Sequence, residues 1–392
     1  MKILIANKYY YNRGGDCVAS MALEKLLKEK GHEVAFFSMQ YAKNFKSDWV
    51  SYFPSEVNFH APGWKEKVNA LVRIISSSEV KSKFSLLLDR FNPDVVHLNN
   101  IHSQLSPVIG EIAHRRNIKV VWTMHDYKLV CPNYTCLRDG KVCSLCVDSH
   151  NPVHVLRTKC MKGSLPASVM AYLEALVWNA GRLDANTDCF IAPSQFLATM
   201  MIKGGFAPEK IKVVSNFINQ DLPSACEDKG DYYVYVGRLS EEKGLQTLLS
   251  AARSLPFELR IIGDGPLRGI LPDDVPNIKY LGFKSWDELA PIVQKAKFVV
   301  VPSEWYENNP LSVIESQSLG TPVLGAEIGG IPEMIRVPEC GMLFESGNKN
   351  DLMDKIKLMF SRSFNYKAIA EETKMRFSAD RYYKEIIKIY EQ

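Results

Sequence analysis

Tyr233-Val234-Tyr235-Val236-Gly237-Arg238-Leu239-Ser240-Glu241-Glu242-Lys243-Gly244 is the stretch on which the reading of the fold turns. Its first four residues are apolar or aromatic with no polar alternation, the pattern of a strand covered on both faces. Gly237 permits a tight exit from that strand. Leu245, Leu248, Leu249 and Ala252 then recur at three- and four-residue spacing, which predicts a helix. A doubly covered strand feeding a helix is the repeating unit of a parallel α/β sheet.

The same grammar extends in both directions. Downstream, Leu259 to Ile262, Lys279 to Leu281, Phe298 to Val301 and Pro322 to Leu324 read as further strands. Upstream lies the polar, Pro- and Gly-punctuated run Asp221-Leu222-Pro223-Ser224-Ala225-Cys226-Glu227-Asp228-Lys229-Gly230, which reads as a linker. Before it, strands are expected at Ile3 to Ile5, Val34 to Phe37, Val95 to Leu98, Val120 to Trp122 and Phe190 to Ala192. A helix carrying Met21, Leu23, Leu26 and Leu27 follows the first of these and stops at Gly31. The expectation is an N-terminal domain over 1–220 and a C-terminal one over 231–374. Each would be a doubly wound parallel sheet whose strand-end loops carry the ligand site.

Composition sets the outer bounds. The 392 residues are 46% hydrophobic and 23% charged, a soluble globular profile that excludes disordered and fibrous classes. A net charge of +4 excludes the dense basic footprint of a nucleic-acid binder. The charge is unevenly placed. Residues 1–230 hold 28 Lys/Arg and 21 Asp/Glu (net +7), and the remainder holds 20 and 23 (net −3). The basic half is either an ordinary solvated surface or a face that meets anionic lipid or a diphosphate-linked acceptor. The apolar run Ile3 to Ala6 is shorter than the ~7–15 residues of a signal-peptide core, so a cytoplasmic protein with reduced thiols is expected.

Three strand-end segments carry candidate chemistry. The strongest is Pro302-Ser303-Glu304-Trp305-Tyr306-Glu307-Asn308-Asn309-Pro310-Leu311-Ser312-Val313-Ile314-Glu315. Glu307 falls in the loop and Glu315 inside the following helix, so one carboxylate can face a sugar and the other a ribose, each accepting from a diol. A Glu early in a helix also complements the helix dipole, so each residue alone reads either way. In the second segment Arg238 and Lys243 offer a planar fork and a point charge to a diphosphate, beside Gly237. The third is Gly14-Gly15 after the first strand, where backbone can approach a phosphate. The GxGxxG fingerprint is absent there, which speaks against a nicotinamide cofactor. Gly263, in Gly263-Asp264-Gly265, suits a base or ribose pocket.

Together these segments closely resemble glycosyltransferase family 4, over nearly the whole chain. The resemblance also includes Thr123-Met124-His125-Asp126, Ala192-Pro193-Ser194 and Val213-Val214-Ser215-Asn216. It implies the GT-B fold, two Rossmann-like domains facing across a cleft, with a last helix over 375–392 crossing back to the first domain. It implies a retaining, hexosyltransferase-type enzyme that takes a UDP- or GDP-linked sugar and a glycan or lipid-linked glycan acceptor in surface polysaccharide synthesis. By position, Arg238 and Lys243 match the pair on the donor diphosphate, Glu315 the acid on the ribose and Glu307 the acid facing the sugar. Gly15 matches the glycine beside diphosphate and acceptor, and His125 the histidine beside the donor sugar. Gly14, Gly237, Gly263, Asn308, Asn309 and Leu311 complete the expected donor contacts. Asn308-Asn309-Pro310 departs from the Gly-Phe-Gly often found there, and Pro310 has no N–H to offer. No Asp-x-Asp motif is present, which fits charge neutralisation by Arg and Lys without a catalytic metal. A non-catalytic sugar-nucleotide-binding subunit and a GT-B epimerase are the competing readings.

Five of the nine cysteines fall within 131–160. Cys143-Ser144-Leu145-Cys146 with Cys131 (or Cys136) and Cys160 could form a tetrahedral structural Zn²⁺ site, and reduced, partly buried thiols are the alternative. Residues 60–90, with Trp64, Leu71, Val72, Ile74 and Ile75 among Lys65, Lys67, Arg73, Lys81 and Lys83, could lie on a membrane or form an ordinary helix.

Overall fold

The computed structural model describes residues 1–57, 73–218 and 222–392. The chain forms two compact units. The first comprises Met1–Arg138, Cys143–Ser215 and Tyr382–Gln392; the second comprises Asp139–Val142 and Asn216–Arg381.

The first unit is a six-stranded sheet of β1 (Lys2–Ala6), β2 (Glu33–Phe37), β3 (Val95–Leu98), β4 (Lys119–Thr123), β5 (Cys189–Ala192) and β6 (Ile211–Val213). All pairings are parallel, in the order β2-β1-β3-β4-β5-β6. The unbroken apolar run of β1 has its reason here, because Ile3, Leu4, Ile5 and Ala6 are all fully buried. A branched side chain buried in this way contributes about 1.5–3 kcal/mol relative to an exposed one. Helix α1 (Gly15–Glu29) follows β1, and helix α2 (Leu165–Val177) lies between β4 and β5. The cysteine-rich loop before α2 holds a short hairpin of Leu137–Arg138 with Lys141–Val142.

The second unit has β7 (Tyr232–Val236), β8 (Glu258–Ile262), β9 (Ile278–Gly282), β10 (Val299–Val301), β11 (Val323–Ala326) and β12 (Gly341–Phe344). They pair in parallel in the order β9-β8-β7-β10-β11-β12. That is the doubly wound order of a dinucleotide-binding sheet, with its switch point between β7 and β10. Helix α3 (Leu245–Ala252) follows β7 and helix α4 (Leu311–Ser318) follows β10. In the first sheet the order reverses between β1 and β3. Strands β6 and β12 were not expected. β6 is three residues long with Lys212 and Val213 exposed, and β12 opens on a glycine.

The last helix, α5 (Ala379–Glu391), buries Tyr382, Ile386, Ile389 and Tyr390 along one face. Its Tyr390 hydroxyl lies 2.5 Å from His97 Nδ1 on β3, and its Tyr383 hydroxyl lies 2.8 Å from His32 Nε2. Of the stretch read as a membrane candidate, Trp64, Lys65, Lys67, Leu71 and Val72 lie outside the described residues. Arg73 and Ile74 point inward. Arg73 is buried with its guanidinium 2.8 Å from Glu79, and so does not face a lipid surface.

Candidate functional site

The loop after β7 and the loop after β8 meet backbone to backbone. Gly237 N–H donates to the Ile262 carbonyl at 3.0 Å, and Leu239 N–H donates to the Asp264 carbonyl at 3.0 Å. The fit admits no side chain. A Cβ on Gly263, at φ +136, would stand 1.9 Å from the Gly237 carbonyl oxygen, and one on Gly265 would stand 2.4 Å from that of Leu239. The predicted glycine Gly263 is thus required by the close approach of the Gly237 carbonyl, whereas a Cβ on Gly237 would meet only the Tyr235 side chain, at 3.3 Å. Arg238 projects from this turn into solvent, and its guanidinium has no hydrogen-bond or ion-pair partner among the described residues.

Five residues on, Lys243 reaches the loop after β10. Its Nζ lies 2.6 Å from Glu307 Oε1, which also accepts 2.6 Å from the Ser303 hydroxyl. Glu307 is 6% exposed. Burial alone would raise its pKa, but the Lys243 ammonium and the Ser303 hydroxyl outweigh it and hold the carboxyl below the usual range. Two glycines outside the expected set make this possible. At Gly244, φ +69, a Cβ would sit 1.8 Å from the Pro302 carbonyl oxygen. At Gly329, φ +59, it would sit 2.4 Å from that of Glu307, which accepts from Gly330 N–H at 2.7 Å. A strand followed by Gly329-Gly330 and a helix was the available signal.

Glu315, on α4, contrasts with Glu307. Its carboxylate has no partner among the described residues, and burial pushes its pKa up to about 7. Leu311 opens α4 directly after Pro310. Asn309, expected on the donor, is turned to the chain itself: its Oδ1 accepts from Asn216 N–H and its carbonyl from the Asn216 amide, both at 3.0 Å. Asn216 of the Val213-to-Asn216 run therefore serves as a tie for the α4 entrance. Asn308 is half-buried beside it.

In the first unit the switch-point loops carry a denser polar network. Gly14 caps α1 in extended backbone, and a Cβ on Gly15 would meet none of the described residues within 4 Å. Packing among the described residues therefore does not require a glycine at 15. His125, at the end of β4, places Nε2 2.9 Å from Asn99 Oδ1. Burial lowers its pKa, so it is neutral near pH 7, with Nε2–H donating to Asn99 and the lone pair on Nδ1. Next to it, Asn100 donates to Asp16 Oδ2 at 3.1 Å and to Asp126 Oδ2 at 3.3 Å, while Lys8 Nζ donates to Asn100 Oδ1 at 3.0 Å. Burial raises the Asp126 pKa. Lys8, Asp16, Asn99 and Asn100 were not expected. The pair Asn99-Asn100 directly after an apolar strand was the signal.

The cysteines of the loop are all reduced. Cys131, Cys143, Cys146 and Cys160 line one small cavity together with His154. The Cys136 thiol donates to Cys131, which lowers the Cys131 pKa to about 7. Among the described residues no group of three or more His, Cys, Asp or Glu side chains has an arrangement that holds a metal ion. The four expected zinc ligands are gathered, and Cys136 occupies one of them.

Comparison with known proteins assigns the family. Residues 18–222 match the family described as Glycosyltransferase Family 4, and residues 219–376 match Glycosyl transferases group 1. A protein of the Klebsiella pneumoniae cps region is 25% identical, with the match covering 86% of this chain and 88% of that one. The glycosyltransferase MJ1178 of Methanocaldococcus jannaschii is 28% identical over 53% of this chain, and the match spans only 60% of that relative's length. Among solved structures, sucrose-phosphate synthase from Thermosynechococcus elongatus superposes with a TM-score of 0.73 at 17% identity, covering 100% of this chain and 98% of that one. Anabaena Alr3699/HepE in complex with UDP-glucose superposes with a TM-score of 0.64 at 17% identity, covering 99% of each chain. The fold is therefore that of the GT-B glycosyltransferases, and the chain belongs to glycosyltransferase family 4.

Proposed function

We propose that the chain is a retaining glycosyltransferase that moves a sugar from a nucleotide diphosphate to a glycan or lipid-linked glycan in surface polysaccharide synthesis. One observation carries this reading. At the switch point of the second sheet a buried acid is matched by Lys243, while the cation Arg238 and the acid Glu315 have no partner among the described residues. An unmatched guanidinium suits a diphosphate, and an unmatched carboxylate suits a ribose diol. The Klebsiella relative from a cps region supports the polysaccharide context, and the HepE structure with UDP-glucose supports a nucleotide-sugar donor.

In this reading Arg238 grips the diphosphate. Lys243 has three N–H donors; one goes to Glu307, and the other two are available to phosphate oxygens. Both cations stabilise the diphosphate as it leaves, without a catalytic metal. The bond from the anomeric carbon to the β-phosphate oxygen breaks as the acceptor oxygen attacks from the same face. The acceptor proton passes to the departing phosphate. Glu307, fixed by Lys243 and Ser303, accepts from sugar hydroxyls. His125 is neutral and presents its Nδ1 lone pair to a hydroxyl. The open space at Gly15 leaves room for substrate against the first unit's loop.

The test is a mass-spectrometric screen of UDP- and GDP-sugars for binding and slow donor hydrolysis, which needs no acceptor. One donor class is expected to bind and to be hydrolysed by wild type, with hydrolysis lost in Arg238→Ala. Near wild-type hydrolysis by Arg238→Ala would overturn the diphosphate assignment. Binding without any hydrolysis or transfer would favour the non-catalytic reading.

A further inference from the structure

Helix α2 is amphipathic in the wrong direction for a helix surrounded by water. It buries Ser168, Ala171 and Glu174, while Leu165, Val169 and Leu176 are 49%, 39% and 46% exposed. Together with the half-buried Tyr172, these outer residues fall within about 60° of one another at 3.6 residues per turn, a continuous apolar stripe. The orientation is enforced from inside. Glu174 forms a buried ion pair with Lys128 at 2.8 Å and accepts from the Ser103 hydroxyl at 3.3 Å. Turning the leucines inward would carry that carboxylate away from its cation, and leaving either charge buried alone is strongly destabilising.

The exposed charges in the sequence that leads into the stripe have one sign. From Ser149 to Leu183 the sequence has a single acidic residue, the buried Glu174, against Arg157, Lys159, Lys162 and Arg182. Arg157, Lys159 and Lys162 lead directly into α2, are exposed, and form no ion pair among the described residues. An outward apolar stripe beside unpaired cations complements an anionic bilayer surface, where acyl chains take the leucines and headgroups take the ammonium and guanidinium groups. Among the described residues no helix is long and apolar enough to cross a membrane, so the contact is one that lies on the surface.

We propose that the outer face of α2, with Arg157, Lys159 and Lys162, docks the protein on an anionic lipid surface. The inference stands apart from the transfer reaction, and its test uses no donor or acceptor. Full-length protein is sedimented with phosphatidylcholine vesicles with and without phosphatidylglycerol. Wild type is expected to bind the phosphatidylglycerol vesicles, with affinity falling as salt rises. Val169→Glu/Leu176→Glu should lower the partition coefficient at least about tenfold. Arg157→Gln/Lys159→Gln/Lys162→Gln should lower it by a similar factor at low salt and flatten the salt dependence. Because the replaced side chains face outward, the melting temperature and donor binding should be unchanged. If the double variant unfolds, Leu165→Gln at the first turn is the substitute, with a smaller loss expected. Failure of wild type to bind the anionic vesicles, or binding by the variants equal to wild type, would overturn the proposal. So would light scattering that shows a dimer dissociated by Val169→Glu, because the stripe would then be covered by a second copy.

Discussion

The two switch points of this molecule have the same architecture and opposite charge economies. In the second unit, Glu307 is neutralised in place by Lys243 and Ser303, and Arg238 and Glu315 have no partner among the described residues. In the first unit, Lys8, Asp16 and Asp126 all bond to the Asn100 side chain, and His125 gives one ring nitrogen to Asn99. The difference separates two roles. Groups left unmatched in a fold mark where a ligand's own charges and hydroxyls belong, whereas a closed network holds a loop in shape before any ligand arrives.

Substitutions can break this comparison, and the largest effect is expected at Lys243. Lys243→Ala removes a cation from the diphosphate and strands the buried Glu307, so transfer should fall by about 10³-fold or more. The melting temperature should fall with it by about 5 °C or more. A calorimetric trace identical to wild type would show that the pair is not structural. Arg238→Ala comes next, with transfer down by about 10²–10³-fold. Because its guanidinium has no partner among the described residues, the melting temperature should be unchanged, and the contrast with Lys243→Ala is the sharper test.

Glu315 gives a pH signature of intermediate size. Its folded pKa of about 7 lies above the ordinary carboxylate value, so the folded chain holds this proton more tightly than the unfolded chain. The associated stability is fully present below about pH 4.5 and is lost as pH rises to about 7. Glu315→Gln should flatten the fall in melting temperature over that window. If the carboxylate form accepts a ribose diol, affinity for the selected nucleotide sugar should tighten as pH rises from about 6 to 8 in wild type, and not in Glu315→Gln. Equal slopes in the two proteins would remove Glu315 from the site.

Asn100→Ala should act through the first unit alone. It leaves Asp16 and Asp126 without their shared donor, so stability should fall by about 1–3 kcal/mol, with donor binding to the second unit retained. Tyr390→Phe is the smallest change, about 1 kcal/mol by denaturant unfolding, through loss of the bond to the buried His97. An unchanged midpoint in that variant would mean the α5 contact rests on packing only.

Legibility follows the same divide. Most strands of both sheets could be read because doubly covered strands are written as unbroken apolar runs, and β6 and β12 escaped because neither is buried along its length. The loop after β8 could be read because Gly263 sits where its backbone approaches the Gly237 carbonyl to a distance no Cβ tolerates. The pairing of Lys243 with Glu307 joins residues 64 positions apart, and no local pattern encodes it. Asn309 was read as a donor contact from its place in the loop, and the structure commits its side chain to Asn216. The membrane reading of 60–90 rested on mixed charge and apolarity, yet Arg73 lies inward on Glu79.

Sequence alone determined the class of fold and the identity of the loops that carry chemistry. Strand burial, helix period and the need for glycine are local demands, satisfied within a few residues. The tertiary structure decided which charges are matched and which remain free, and which face of α2 points outward. Hydropathy by itself would have turned Leu165, Val169 and Leu176 to the core. The ion pair of Glu174 with Lys128, 46 residues apart in the chain, holds them outside, because turning the helix would carry the carboxylate away and leave the Lys128 ammonium buried without its partner.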